Sequence, residues 1–324
     1  MLKSARSSWL ALASSAFFLG AVLYLLNRDQ SLKSVLAVWQ KTDLLWLFIS
    51  TALMMGVFAL SAWRVRIIMS ADGIASTSLL PLLRIQFISQ FMAHGTPISA
   101  IADIVRAMMI KLRFDVLPGR SLRIIMYDRI CGALGAVVCG VVASFIQVTT
   151  PFDHVLVHVE ILLWSCGIAG VAILLTMGNL KLTTRINLLD RLVMAFVTLG
   201  QILRSPCVAG ELLLASLGQL LSFSAIFLAL AHGMHVFVPA WTAVLFMPLI
   251  YFVSSLPVFY QGWGGREAIV IATIGSTGYV SHGEVLALSI GFGAVVFLAS
   301  LPGAVFWLMR PSMRKAIRIE AERA

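Results

Sequence analysis

Two arginines in apolar surroundings, each nine residues after a proline, are the side chains best placed to do chemistry in this chain. Arg106 follows Pro97, and Arg266 follows Pro257. Each has a carboxylate nearby, Asp103 for the first and Glu267 for the second. A guanidinium presents a rigid fork of donors that fits an oxyanion such as phosphate. Asp103 and Glu267 could hold the arginines while no anion is bound, or receive an amine. Gln86, Gln90 and Gln261 add neutral donors and acceptors to a polar path. Gly262 and Gly264, around Trp263, let the backbone come close to a ligand. The competing account is structural, with Arg106–Asp103 and Arg266–Glu267 as buried pairs that hold the chain together. Either way, charge at membrane depth is costly and marks a functional candidate.

The surroundings are those of a membrane protein. Of 324 residues 60% are apolar and 12% charged, with a mean hydropathy of +0.96; soluble domains carry about 25% charged residues. The expectation is a single polytopic, all-α membrane domain over residues 1–324, with no separate soluble domain. Full spans are expected at about 9–26, 44–63, 124–146, 156–177, 209–231 and 285–309, with a helix lying on the membrane surface within 178–208. Residues 79–110 and 241–276 differ. Each is apolar but interrupted, at His94-Gly95-Thr96-Pro97 and at Pro257 with Gly262, Gly264 and Gly265. A broken helix survives in hydrocarbon only where protein or a water-filled cavity satisfies the freed backbone. Both therefore read as re-entrant helical hairpins, broken at Pro97 and Pro257, whose half-helix N-termini offer free N–H groups to an anion.

Charge fixes the orientation. The segments 1–8, 64–78, 111–123, 178–208 and 310–324 hold 17 of the 24 Lys and Arg, against 3 in 27–43, 148–155, 232–240 and 277–284. The positive-inside rule makes the first group cytoplasmic. Both termini are then inside, and 310–324 is a basic cytoplasmic tail. This count assigns Arg64 to a cytoplasmic loop and treats Asp128 and Arg129 as an interface pair. It holds only if both hairpins return to the side they enter. A shift of 160 residues lays Pro97 on Pro257, Arg106 on Arg266 and the hairpin 79–110 on 239–270. Repeat one (about 9–147) and repeat two (about 156–309) each contain two spans, a hairpin and a span. Three spans change sides, so the repeats are inverted, as in transporters whose sites lie between broken helices.

Other chemistry finds little support. Cys131, Cys139, Cys166 and Cys207 lie in or beside apolar runs without metal spacing, and read as buried, inert thiols. His232 and His235 read as solvated loop residues rather than ligands. No cofactor or metal is called for, and the net charge of +10 reads as topology rather than nucleic-acid binding.

Four motifs carry a resemblance: Thr96-Pro97 followed by Asp103-Ile104-Val105-Arg106; Tyr127-Asp128-Arg129; Leu256-Pro257 with Gly262-Trp263-Gly264-Gly265-Arg266-Glu267-Ala268; and Leu301-Pro302-Gly303. Over most of its length the chain resembles the flippase-like integral membrane family related to the membrane part of bacterial lysylphosphatidylglycerol synthases. Ala100-Ile101-Ala102 stands where that family usually has glycines before the aspartate. The resemblance implies a multi-pass protein of the bacterial cytoplasmic membrane. It implies movement between leaflets of a polar or anionic-headed envelope lipid: an aminoacylated phospholipid, a lipid-linked sugar or a hopanoid-pathway lipid. Partners would be the lipid itself and enzymes of envelope-lipid synthesis. The soluble aminoacyl-transferase domain of the lysyl-transferring members has no counterpart here, so aminoacyl transfer is not expected of this chain alone. A membrane-embedded lipid-modifying enzyme and an accessory subunit of a synthesis complex are the alternatives. Oligomeric state is not legible.

Overall fold

The computed structural model describes residues 31–74, 77–94, 99–148, 154–177, 187–255 and 263–309. All regular elements among them are helices. In chain order they are α1 (Ser31–Gln40), α2 (Leu44–Ala71), α3 (Leu79–His94), α4 (Ser99–Phe114), α5 (Pro118–Val148), α6 (His154–Met177), α7 (Asn187–Arg204), α8 (Pro206–Gly233), α9 (Ala240–Ser255), α10 (Gly265–Thr273) and α11 (His282–Leu308). The proposed first span, the tail 310–324, Pro97, Pro257, Gln261 and Gly262 lie outside the described residues.

Local chemistry sets the helix starts. Asp43 caps α2 by accepting from the Leu45 N–H at 2.9 Å. Pro206 opens α8, where its missing N–H costs nothing. Ser281 and Glu284 form a reciprocal capping box at the head of α11. Among the described residues four helices are long and apolar enough to cross a membrane: Leu44–Ala71, Pro118–Gln147, Pro206–Gly233 and His282–Leu308. At 28 residues, α2 runs about 42 Å, more than a hydrocarbon core of about 30 Å needs.

Two expected loops prove helical. Residues 27–43 contain α1, whose Val35 packs with Leu286 and Ala287 of α11. Residues 64–71 continue α2, because Val65, Ile67, Ile68 and Met69 keep an apolar face that is buried. Within 178–208 a helix does form, α7. It packs on α6 and α8, with Leu199 fully buried and Ala195 tied to the Tyr127 hydroxyl at 2.6 Å.

Both interrupted segments are broken helix pairs. α3 packs on α4, and α9 on α10. The packing crosses between the halves of the chain: α2 lies along α8, α3 against α11, and α9 against α5. Gly303, in the Leu301-Pro302-Gly303 motif, sits against the Phe87 backbone of α3. At one end of the bundle Asp72 accepts from Arg120 at 2.6 Å and from Arg123 at 3.3 Å, which joins 64–78 to 111–123. Elsewhere the Asp43 N–H donates to the Gly233 carbonyl at 2.8 Å, and Tyr279 meets Phe237 edge to face at 6.5 Å. Those contacts bring 27–43, 232–240 and 277–284 together.

Candidate functional site

Both helix pairs, through residues such as Ala93 and Ala102 of the first and Ser255 and Arg266 of the second, border one cavity between the halves. Four arginines line it: Arg64 from α2, Arg106 from α4, Arg129 from α5 and Arg266 from α10. Asp103, Asp128, Gln86, Gln90 and Gln219 complete its polar wall. Helical spacing explains the convergence. Ser61 and Arg64 lie one turn apart on α2, Gln86 and Gln90 one turn apart on α3, and Asp103 and Arg106 share a face of α4. Apolar residues such as Phe58, Phe223, Ile250 and Phe292 make up the rest.

At the centre is a buried triad of charges. Asp128 accepts from Arg64 Nε at 2.6 Å through one oxygen and from Arg106 Nη1 at 2.7 Å through the other. Arg64 Nη1 also donates to Gln219 Oε1 at 2.8 Å and Ser216 Oγ at 3.2 Å on α8. Arg106 Nη2 reaches Ser61 Oγ at 3.3 Å. Side chains of all three charged residues are at most 7% exposed. Two guanidiniums share one carboxylate, so the cluster keeps one positive charge.

The expected Arg106–Asp103 pair does not form. Asp103 instead takes a side-on pair of hydrogen bonds from Arg129, both at 3.0 Å. Asp128 and Arg129 are likewise not partners. On α5 the two side chains leave the helix about 100° apart, and each meets a partner on a different neighbouring helix. Tyr127, Asp128 and Arg129 therefore reach three different neighbours. Arg64, assigned from sequence to a cytoplasmic loop, is a wall of the cavity.

The second arginine keeps the expected partner. Arg266 Nη2 lies 2.8 Å from Glu267 Oε1, and the Ser289 hydroxyl of α11 bridges the two, accepting from Arg266 Nε at 3.1 Å and donating to Glu267 at 2.8 Å. The guanidinium stands 5.0 Å above the Trp263 ring and 5.7 Å from that of Phe292. Gly293 provides the room, since a Cβ there would come within 2.8 Å of Arg266 Nη2 and 2.7 Å of Trp263. Gly264 has φ of +84°, a conformation that favours glycine. Its N–H donates to Glu267 Oε2 at 2.6 Å, so that donor of the half-helix is already taken. Glu267 thus seats Arg266 and does not itself line the cavity.

Gln86 is 2% exposed and lines the cavity, yet its Oε1 has no hydrogen-bond partner among the described residues. A buried acceptor left open costs about 1–3 kcal/mol unless something fills it. The residues that composition and spacing left out are Arg64, Asp128, Arg129, Ser216, Gln219 and Ser289. For Arg64 the signal was present, in the Ile67-Ile68-Met69 run beyond it. Among the cysteines, expected from sequence to be buried, Cys131 is buried while Cys166 and Cys207 are exposed. His232 packs edge to face on Trp46 at 4.5 Å. Among the described residues no group of three His, Cys, Asp or Glu could hold a metal ion.

An apolar helical bundle with several helices long enough to span a bilayer, around a cavity walled by arginines and carboxamides, is a multi-pass membrane protein. The chain belongs to the family described as the lysylphosphatidylglycerol synthase TM region, whose model matches residues 8–303. Neither a curated protein nor a solved structure matches it.

Proposed function

We propose that this protein moves a lipid with an anionic or polar head across the bacterial cytoplasmic membrane, without altering it chemically. The observation that carries the reading is the shared carboxylate. Arg64 and Arg106 both lean on Asp128, and their unmatched charge faces the cavity. A phosphate there would balance the cluster, with Arg266 adding a second fork and Gln86, Gln90 and Gln219 receiving headgroup hydroxyls or amines.

The inverted-repeat reading gains support from the helices. Shifted by 160 residues, α2, α3 and α5 fall on α8, α9 and α11 to within four residues at either end. Each hairpin packs on the last helix of the opposite half, so rocking of one half against the other would expose the cavity to each leaflet in turn. The meeting of 64–78 with 111–123, and of 232–240 with 277–284, places each pair at one end of the bundle, as the six-span, two-hairpin reading requires.

The test is lipid translocation in liposomes by purified protein, beside folded yield in detergent. Arg266→Ala is expected to lose most transport while remaining folded, because Glu267 keeps its bonds from the Ser289 hydroxyl and the Gly264 N–H. Arg266→Lys keeps the charge without the fork and retains part of it. A folded Arg266→Ala protein that moves lipid at the wild-type rate removes Arg266 from the site. Conversion of the lipid to a species of new mass favours an enzyme instead.

A further inference from the structure

A second cavity lies on the other face of α3, between the start of that helix, the end of α4 and the end of α11. Its floor is apolar, formed by Ile85, Ile88, Met109 and Phe306, and two arginines, Arg84 and Arg113, border it. Buried Arg64, Arg106 and Arg266 each lean on a carboxylate. Arg84 and Arg113 do not: among the described residues neither makes an ion pair. Arg84 rests over the Phe306 ring at 5.9 Å and Arg113 over the Phe114 ring at 5.8 Å. The aromatic faces hold both guanidiniums beside the groove, and among the described residues their donors stay open.

The groove also has a definite place. α3 starts seven residues after Asp72, and α4 ends four residues before Pro118. It therefore lies at the end of the bundle where Asp72 binds Arg120 and Arg123, beside the basic segment 111–123 and before the basic tail. The charge rule puts that end in the cytoplasm. Anionic lipids are concentrated in that leaflet, and basic pockets between helices there take their headgroups.

We propose that this groove binds an anionic phospholipid of the cytoplasmic leaflet, with its phosphate between Arg84 and Arg113 and an acyl chain along the Ile85–Met109–Phe306 floor. Two unneutralised cations call for an anion. The apolar floor selects an anion carrying hydrocarbon, since a free phosphate would leave that floor uncovered. The site is separate from the central cavity, because Gln86 and Gln90 turn to the opposite side of α3.

The full chain in phosphatidylcholine nanodiscs, with a trace of phosphatidylglycerol bearing an acyl-chain diazirine, tests this. Light is expected to attach the probe to peptides from the start of α3, the end of α4 and the end of α11. Unlabelled phosphatidylglycerol should displace it, and phosphatidylcholine and inorganic phosphate should not. R84Q/R113Q should weaken capture about thirty-fold, from the loss of two leaflet-surface cations, while R84K/R113K keeps most of it. Equal displacement by phosphatidylcholine overturns the proposal. So does displacement by inorganic phosphate, which would mark a free-anion site, or unchanged capture by R84Q/R113Q. If that double variant fails to fold, the competition series on the unmodified protein decides by itself.

Discussion

Arg106 and Arg266 each stand nine residues after a proline, yet they are held in opposite ways. Arg266 is held almost within its own segment. Its carboxylate is the next residue, the ring beneath it is Trp263, and only Ser289 and Phe292 come from another helix. Arg106 depends on distant chain: Asp128 on α5, Ser61 on α2 and, through Arg64, Gln219 and Ser216 on α8. The first arrangement can travel with its hairpin as a unit. The second spans the junction of the two halves, and any motion of one half against the other must stretch or exchange the Arg64–Gln219 contact. Two arginines with the same spacing from a proline are thus anchored differently, one within its own segment and one in a charged joint between helices.

Removing the joint's carboxylate gives the largest expected effect. Asp128→Asn strands two buried guanidiniums at once. Breaking one buried pair costs about 3–5 kcal/mol, so folded yield and thermal stability in detergent should fall steeply. Asp128→Asn protein as stable as wild type would mean that water or lipid, not Asp128, neutralises the cluster.

Arg64→Gln sharpens the comparison from the other side. It leaves Asp128 paired one to one with Arg106 and removes the surplus charge. It should cost less stability than Asp128→Asn while lowering transport of an anionic lipid about as much. Transport retained in a folded Arg64→Gln protein would detach the surplus charge from function. Gly293→Ala probes the portable site. Its Cβ would press on Trp263 and Arg266, and overpacking of this kind costs about 1–3 kcal/mol. Transport should drop more than stability, because the fork is displaced and the fold is not.

The sequence made the architecture of broken helices legible for a physical reason. Proline and glycine inside an apolar run can be read locally, and α3/α4 and α9/α10 break where they occur. The Arg266–Glu267 pair was legible for the same reason, being adjacent in the chain. The Arg64–Asp128–Arg106 cluster was not. Its members lie on three helices, and nothing local states that the carboxylate for Arg106 comes from 22 residues away rather than from Asp103, one helical turn before it. Arg64 was misassigned because an arginine after Trp63 looks like the end of a span. Only tertiary packing of Ile67 and Ile68 shows that the helix, and burial with it, continues.

The smallest effect belongs to Asp103, and it separates the two kinds of charge pair most cleanly. Asp103 holds Arg129 by two hydrogen bonds, but the pair is half open to the cavity, with side-chain exposures of 24% and 47%. Pairs so exposed contribute about 0–1 kcal/mol, so Asp103→Asn should leave folded yield and melting temperature close to wild type. The loss of a negative charge frees Arg129 and makes the cavity wall more positive. An anionic headgroup should then be held longer, and a headgroup carrying an amine should lose a partner. Translocation assays with a singly anionic lipid and with its amine-bearing counterpart should show preference shifting toward the former while stability stays put. If Asp103→Asn instead unfolds the protein as Asp128→Asn is expected to, the Asp103–Arg129 pair is a second structural joint. The cavity would then contain fewer side chains free to meet a headgroup than its open geometry suggests.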